Sequence, residues 1–345
     1  MTTNKPKLIR ILSIDGGGIR GIIPGQILVK LEQKLNEAEE KKGNKNPEAR
    51  IADYFDLVAG SSTGGILTCA LLCPQSGHAL KSKFTAQQVV DLYLKYGKQI
   101  FKRRFKQKIR SLFGWTDEKF SAASLYNKLE EYFGETMLSE LRKPCVITSY
   151  DIERRHGHFF AQHDAKKMPD YNFKVKDVAR STSAAPTYFE CASIKSAEDV
   201  TCYLIDGGVF VNNPALCAYA EARQLFKIGA KDMLILSLGT GSADKSFLYK
   251  KARNWGKIGW LRPLIDIMMS GAAEVVNFQL KQIYETVKAK GQYVRINPNL
   301  KDNANIKPEM DDVSDENITA LKELGTITAE QCNKELDKVV SMLVR

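Results

Sequence analysis

The sequence predicts an α/β fold built on a mostly parallel sheet, and three observations carry that prediction. Short apolar, strand-like runs alternate with helical stretches, the pattern of crossover helices joining parallel strands. Two glycine-rich elements, Asp15-Gly16-Gly17-Gly18-Ile19-Arg20-Gly21 and Gly60-Ser61-Ser62-Thr63-Gly64-Gly65, each stand where an apolar run turns into a helix. The chain has 345 residues with 43% hydrophobic content, enough to bury a large core, and shows no internal repeat or low-complexity linker.

Taken in order, residues 8–14 form the first predicted strand, β-branched and apolar, and residues 22–35 carry a helical pattern behind the first glycine element. The polar stretch 37–47 reads as a loop. Residues 56–60 are the second strand and 66–72 a buried helix. Further strands are expected at 144–148, 201–205, 233–238 and 293–296, with a polar loop at 301–305. Residues 265–280 are apolar enough to read as an ordinary core helix.

Ser62 falls at the tip of a strand–turn–helix elbow. A G-x-S-x-G elbow holds a serine in a tight, strained turn between small residues, and the helix behind it aims amides and a positive dipole end at developing negative charge. The first element matches G-x-G-x-x-G at Gly16, Gly18 and Gly21, so dinucleotide binding has to be considered. That function needs a second strand ending in an acidic residue about 20 residues on. The corresponding stretch here, Glu37 to Lys45, is polar and unlike a strand. Consecutive glycine amides at a helix start bind an anion, and beside a serine nucleophile that anion is a tetrahedral oxyanion. Arg20 has two readings, support for the same charge or pairing with a local carboxylate.

A serine needs a base. The four histidines, His78, His156, His158 and His163, all precede Asp206-Gly207-Gly208, so the order Ser, acid, His of an α/β-hydrolase cannot be assembled with Asp206 as the acid. Alone, Asp-Gly-Gly reads as a turn. Beside Ser62 and the glycine cradle the better reading is a direct Ser–Asp dyad, the carboxylate taking the serine proton. The histidines then read as surface or packing residues.

The motifs Ile14 to Gly25, Ala52-Asp53-Tyr54-Phe55-Asp56, Gly60 to Gly65, Ser183-Ala184-Ala185-Pro186-Thr187-Tyr188-Phe189, and Asp206-Gly207-Gly208-Val209 with Asn212-Asn213-Pro214-Ala215 together resemble the patatin family of lipid acyl hydrolases. The resemblance extends through Ser237 to Gly241 to Met310-Asp311-Asp312. It implies a three-layer α/β/α sandwich with a central mostly parallel sheet, related to the cytosolic phospholipase A2 catalytic domain. It also implies Ser62 as nucleophile, Asp206 as base, Gly16, Gly17 and Gly18 as oxyanion donors and Arg20 as support for that loop. Ser61 stands where plant patatins usually carry Thr. Their secretion signal is not found at Met1 to Lys7. The expected organisation is one catalytic domain over residues 7–315 with a C-terminal helical segment, 316–345, packed on it.

The expected activity is phospholipase A or lysophospholipase chemistry on membrane phospholipid or galactolipid, with no metal and no cofactor. Alternatives are an acyltransferase or thioesterase on the same site, or a gated lipid-binding effector whose activator the sequence does not identify. The formal charge of +11 is concentrated at Lys98 to Arg110. Lys102, Arg103, Arg104 and Phe105, with Trp115, and the separate Trp255 and Trp260 beside Arg253 and Arg262, are candidates for contact with an anionic membrane surface, against the plainer reading of a solvated helix face or helix caps. No nucleic-acid motif accompanies the charge. No run of 18 apolar residues is present, and the seven cysteines sit singly in apolar contexts without Cys-x-x-Cys pairing. These features lead us to expect a cytoplasmic protein with peripheral membrane association during catalysis.

Overall fold

A computed structural model describes residues 8–100, 122–242, 247–307 and 309–344. In chain order its strands are β1 (Ile9–Ile14), β2 (Leu57–Ser61), β3 (Pro74–Gln75), β4 (His78–Ser82), β5 (Cys145–Asp151), β6 (His156–Ala161), β7 (Ala192–Lys195), β8 (Thr201–Asp206), β9 (Met233–Leu238) and β10 (Tyr293–Ile296). The helices are α1 (Ile22–Lys41), α2 (Ile51–Tyr54), α3 (Thr63–Leu72), α4 (Ala86–Ile100), α5 (Ala122–Phe133), α6 (Gln162–Ala165), α7 (Val175–Thr182), α8 (Ala215–Phe226), α9 (Tyr249–Ala252), α10 (Lys257–Thr286), α11 (Asp315–Gln331) and α12 (Asn333–Leu343).

Apart from the β3–β4 hairpin, the strands form one eight-stranded sheet in the order β10-β9-β1-β2-β5-β8-β7, with β6 paired to β5. The β10–β9, β9–β1, β1–β2 and β2–β5 pairs are parallel. β8 runs antiparallel to β5 and to β7, and β6 antiparallel to β5. All six expected strands are present.

The pleat sorts side chains to two faces. Ile9 and Ile11 of β1, Leu57 and Ala59 of β2, and Met233 and Ile235 of β9 pack under α8 and α10, where Ala215, Ala218 and Ala222 let α8 approach closely. Leu12, Ile14, Val58, Leu234 and Leu236 point the other way, into the larger core shared with α1, α3, α4, α5 and α7. Each such fully buried side chain contributes on the order of 1.5–3 kcal/mol, so both faces are committed to the interior. The result is the α/β/α sandwich. Leu321 and Leu324 of α11 and Leu336, Val339 and Leu343 of α12 belong to the larger cluster as well, lying against α1.

Register places the site. Ile14 is level with both Gly60 and Leu238, so the glycine loop after β1, the serine after β2 and the Thr240 turn after β9 emerge side by side at the carboxyl edge. In open α/β sheets that edge is where ligands bind.

Two expectations need correction. The polar start of the segment 37–47 is helical, because α1 continues to Lys41; Ala38 still packs on the core and Asn36 Nδ2 bonds the Glu32 carbonyl. The segment 265–280 is not a core helix. It lies inside the 30-residue α10, whose apolar residues occupy two faces. Leu280 and Tyr284 are buried, whereas Leu264, Ile267, Met268, Val275 and Phe278 are 42–63% exposed.

Candidate active site

β2 is buried along its whole length and delivers Ser62 to the start of α3 with φ 52°. For a residue with a Cβ this left-handed conformation is strained by about 1–3 kcal/mol, and the surroundings enforce it. The Ser62 amide donates to Thr182 Oγ1 at 2.9 Å, and Thr182 Oγ1 donates in turn to the Thr148 carbonyl at 2.6 Å. A side chain at Gly64 would run into the Ile14 carbonyl, so only glycine lets the elbow sit this close to β1.

Asp206 ends β8, which is held to β5 through the pairing of Ser149 with Asp206. Its Oδ2 accepts a 2.6 Å hydrogen bond from Ser62 Oγ, and its Oδ1 accepts the Gly208 amide at 2.7 Å. Both residues are buried, at 7% and 4% exposure. Burial pushes the Asp206 carboxyl up to about 7, against the pull of the Ser62 and Gly208 hydrogen bonds.

The glycine loop meets this pair from β1. Gly17 and Gly18 line the same cavity as Ser62 and Asp206. Gly16 does not, and its amide donates to the Asn212 carbonyl at 3.0 Å. Of the three expected donors, the Gly16 N–H is spent on holding the loop to the Asn212 segment. Gly18 has φ +59°, and a side chain there would strike the Met310 carbonyl, the same carbonyl that accepts the Ile19 amide at 2.9 Å. Arg20 is buried and does not line the cavity that holds the serine. Its Nε reaches the Gly17 carbonyl at 3.4 Å, and burial lowers its pKa while Asp266 and Tyr188 hold its charge. Arg20 thus touches the glycine loop through the Gly17 carbonyl.

Sequence reasoning missed several parts. Arg295 of β10 grips Asp15 at the root of the loop, Nη1 to Oδ1 at 2.8 Å and Nη2 to Oδ2 at 2.5 Å, and Nη1 also reaches Ser237 Oγ at 2.8 Å. Thr240 Oγ1 donates to the Gly16 carbonyl at 2.7 Å. Nothing local in the sequence marks either contact.

The cavity in front of Ser62 is walled mainly by apolar groups, among them Ile66, Leu92, Leu125, Phe189, Val209, Ile265 and Met269. None of the four histidines lines it. His163 Nε2 sits 2.7 Å from Glu221, and His158 packs between Phe160 and Phe173, where burial lowers its pKa to about 4. Trp255 packs edge-on against Phe247 and Trp260, and Trp260 is 41% exposed. Lys102, Arg103, Arg104, Phe105 and Trp115 lie outside the described residues. Among the described residues no helix is long and apolar enough to cross a membrane.

Comparison with known proteins agrees with this architecture. The family profile described as Patatin-like phospholipase matches residues 12–219, a span that holds both Ser62 and Asp206. Patatin-like protein 1 of Oryza sativa subsp. indica is 34% identical over 84% of this chain and 74% of its own. Patatin-like protein 2 of Arabidopsis thaliana is 35% identical over 84% and 75%. Patatin-17 of Solanum cardiophyllum is 31% identical over 92% and 83%. The solved structure of VipD from Legionella pneumophila overlaps 96% of this chain and 67% of its own at 12% identity and a TM-score of 0.39, too distant a likeness to carry meaning. The class of protein defined here is a lipid acyl hydrolase with an α/β/α sandwich. The chain belongs to the patatin-like phospholipase family.

Proposed function

We propose that this protein cleaves fatty-acyl esters of membrane glycerolipids through a Ser62–Asp206 dyad, without a metal. The observation that carries the reading is the 2.6 Å hydrogen bond from Ser62 Oγ to a buried carboxylate whose pKa is raised to about 7. A base works best when its pKa lies near the working pH. Asp206 takes the serine proton as Oγ attacks the ester carbonyl, and the Gly17 and Gly18 amides hold the resulting oxyanion. Collapse expels the alcohol, which receives the proton from Asp206. Water, deprotonated by the same carboxylate, then hydrolyses the acyl-enzyme to release the fatty acid.

The apolar cavity suits the acyl chain, and the helix that closes it, α10, also turns apolar side chains outward. Peripheral contact with a lipid surface through Trp260 and that outer face follows from this arrangement. Trp255, packed between Phe247 and Trp260, holds the contact in place. The test is covalent trapping with a long-chain fluorophosphonate followed by peptide mass analysis. Modification of Ser62 in the wild type, and its loss in Asp206→Asn, is the expected result; modification elsewhere, or equal labelling of both proteins, contradicts the dyad.

A further inference from the structure

Two asparagines follow Asp206-Gly207-Gly208, and the fold uses them differently. Asn213 Oδ1 accepts the Ala215 amide at 3.0 Å and so caps the start of α8. Asn212 holds the glycine loop with its backbone alone, its carbonyl accepting the Gly16 amide at 3.0 Å. The side chain is left over. Asn212 is only 8% exposed, and among the described residues its Oδ1 has no hydrogen-bond partner. A buried acceptor in that state is uncommon enough to require a reason.

The position of that oxygen supplies one. A Cβ on Gly16 would stand 2.5 Å from Asn212 Oδ1 and 3.1 Å from Ser62 Cβ, and a Cβ on Gly208 would stand 3.1 Å from Asp206 Oδ1 and 3.3 Å from Asn212 Oδ1. The asparagine oxygen is therefore a near neighbour of both members of the dyad, and the two glycines keep the space between them free of side chains. Asn212 also lines a second, polar cavity of about 270 Å3, whose walls include Asp15, Thr240 and Arg295. Met269 lines that cavity and the acyl cavity alike. Asn212 thus stands where a polar space, roomy enough for water, meets the serine.

Deacylation poses a problem that acylation does not. The attacking water has two O–H bonds, and its lone pair faces the acyl carbon only when both are directed elsewhere. In the acyl-enzyme Ser62 Oγ carries no proton, so the Asp206 carboxylate is free to accept one O–H. The other needs a second acceptor. We propose that Asn212 is a further catalytic residue, whose Oδ1 accepts a hydrogen bond from the hydrolytic water and, with Asp206, aims it at the acyl-enzyme. The assignment rests on the hydrolase reading above and deepens its second step. The water gives one proton to Asp206 as its oxygen bonds to the acyl carbon. Collapse breaks the bond to Ser62 Oγ, which takes that proton from Asp206, and the proton held by Asn212 leaves on the carboxyl group of the fatty acid.

Single turnovers of para-nitrophenyl butyrate, with enzyme in excess, separate the two steps: nitrophenol release reports acylation and butyrate release reports deacylation. Asn212→Leu keeps the backbone carbonyl and a similar volume. It should acylate within about twofold of wild type and deacylate about tenfold more slowly, the scale of one hydrogen bond lost. Methanol gives the discriminating readout, because it has a single O–H, presents that to Asp206 and needs no second acceptor. In aqueous methanol the ratio of methyl butyrate to butyrate should therefore rise about tenfold in the variant, a shift that general loosening of the site does not produce. Asn212→Ala is read in the same way should the leucine variant not fold. Equal slowing of both steps, or a methanolysis ratio unmoved in either folded variant, overturns the assignment. A wild type that releases no more nitrophenol than Ser62→Ala fails the hydrolase reading itself, and this assignment with it.

Discussion

Arg295 holds both carboxylate oxygens of Asp15, across 280 residues of sequence, at the point where β1 gives way to the glycine loop. The arginine is almost fully enclosed, with its side chain 11% exposed and that of Asp15 4%. Breaking a buried pair by removing one partner strands the other, at a cost of about 3–5 kcal/mol. Arg295→Met and Asp15→Asn are each expected to lower stability on that scale in urea unfolding. The double variant should recover much of the loss, a coupling read from the four-protein cycle. Additive single effects would mean the pair is not a unit.

The serine elbow carries a separable strain. At φ 52°, Ser62→Gly removes the cost of a side chain in the left-handed region, whereas Ser62→Ala keeps it. Both should be inactive, and the glycine variant should be more stable than the alanine variant in denaturant unfolding, by about 1 kcal/mol. Equal stabilities would remove the claim of backbone strain.

The raised Asp206 pKa makes two pH predictions. The base must be ionised, so activity should rise through a limb with a midpoint near 7. Stability should move the other way. Between the ordinary aspartate pKa and about 7 the native state binds the proton that the unfolded chain has already released, so stability falls as pH rises through that window and is level above it. Asp206→Asn should flatten that slope and be the more stable protein at pH 8. A wild type whose stability climbs from pH 4 to pH 7 relative to Asp206→Asn contradicts the burial argument.

Much of this was legible in the sequence because it is local. β1 and β2 end in glycine elements whose only economical use is a tight turn, and Ser62, Asp206 and the order of the motifs could be read from short windows. The Asp15–Arg295 and Thr240–Gly16 contacts could not, since each joins strands far apart in the chain and neither partner breaks a local pattern. Gly16 reads in the sequence as an oxyanion donor, yet its amide is bonded to the Asn212 carbonyl, a matter of orientation that composition does not record. α10 misled for another reason: Ile265, Met269 and Leu280 face inward while Leu264, Met268 and Phe278 face outward, so its apolar content imitates a buried helix.

Gly18 should tolerate no side chain. Alanine there meets both the positive φ and the Met310 carbonyl, so the loop must shift away from Ser62. Displacing one oxyanion donor lowers kcat by about 10²–10³, and Gly18→Ala is expected in that range or below, measured on a soluble short-chain ester. Activity within twofold of wild type would exclude Gly18 from the oxyanion site.

The outward face of α10 offers its own test. Phe278→Ser and Met268→Ser remove exposed apolar groups, at 63% and 52% exposure, without touching the cavity walls. Sedimentation with anionic vesicles should show weaker binding for the pair of substitutions, with hydrolysis of a soluble ester retained. Unchanged vesicle binding would place the lipid contact elsewhere.

The most direct measurement is fatty-acid release from mixed phospholipid and galactolipid vesicles in the presence of a metal chelator, with wild type beside Ser62→Ala and Asp206→Asn. The dyad predicts release by wild type alone, undiminished by the chelator. Release that survives Asp206→Asn, or that stops when metal is withdrawn from wild type, would contradict it.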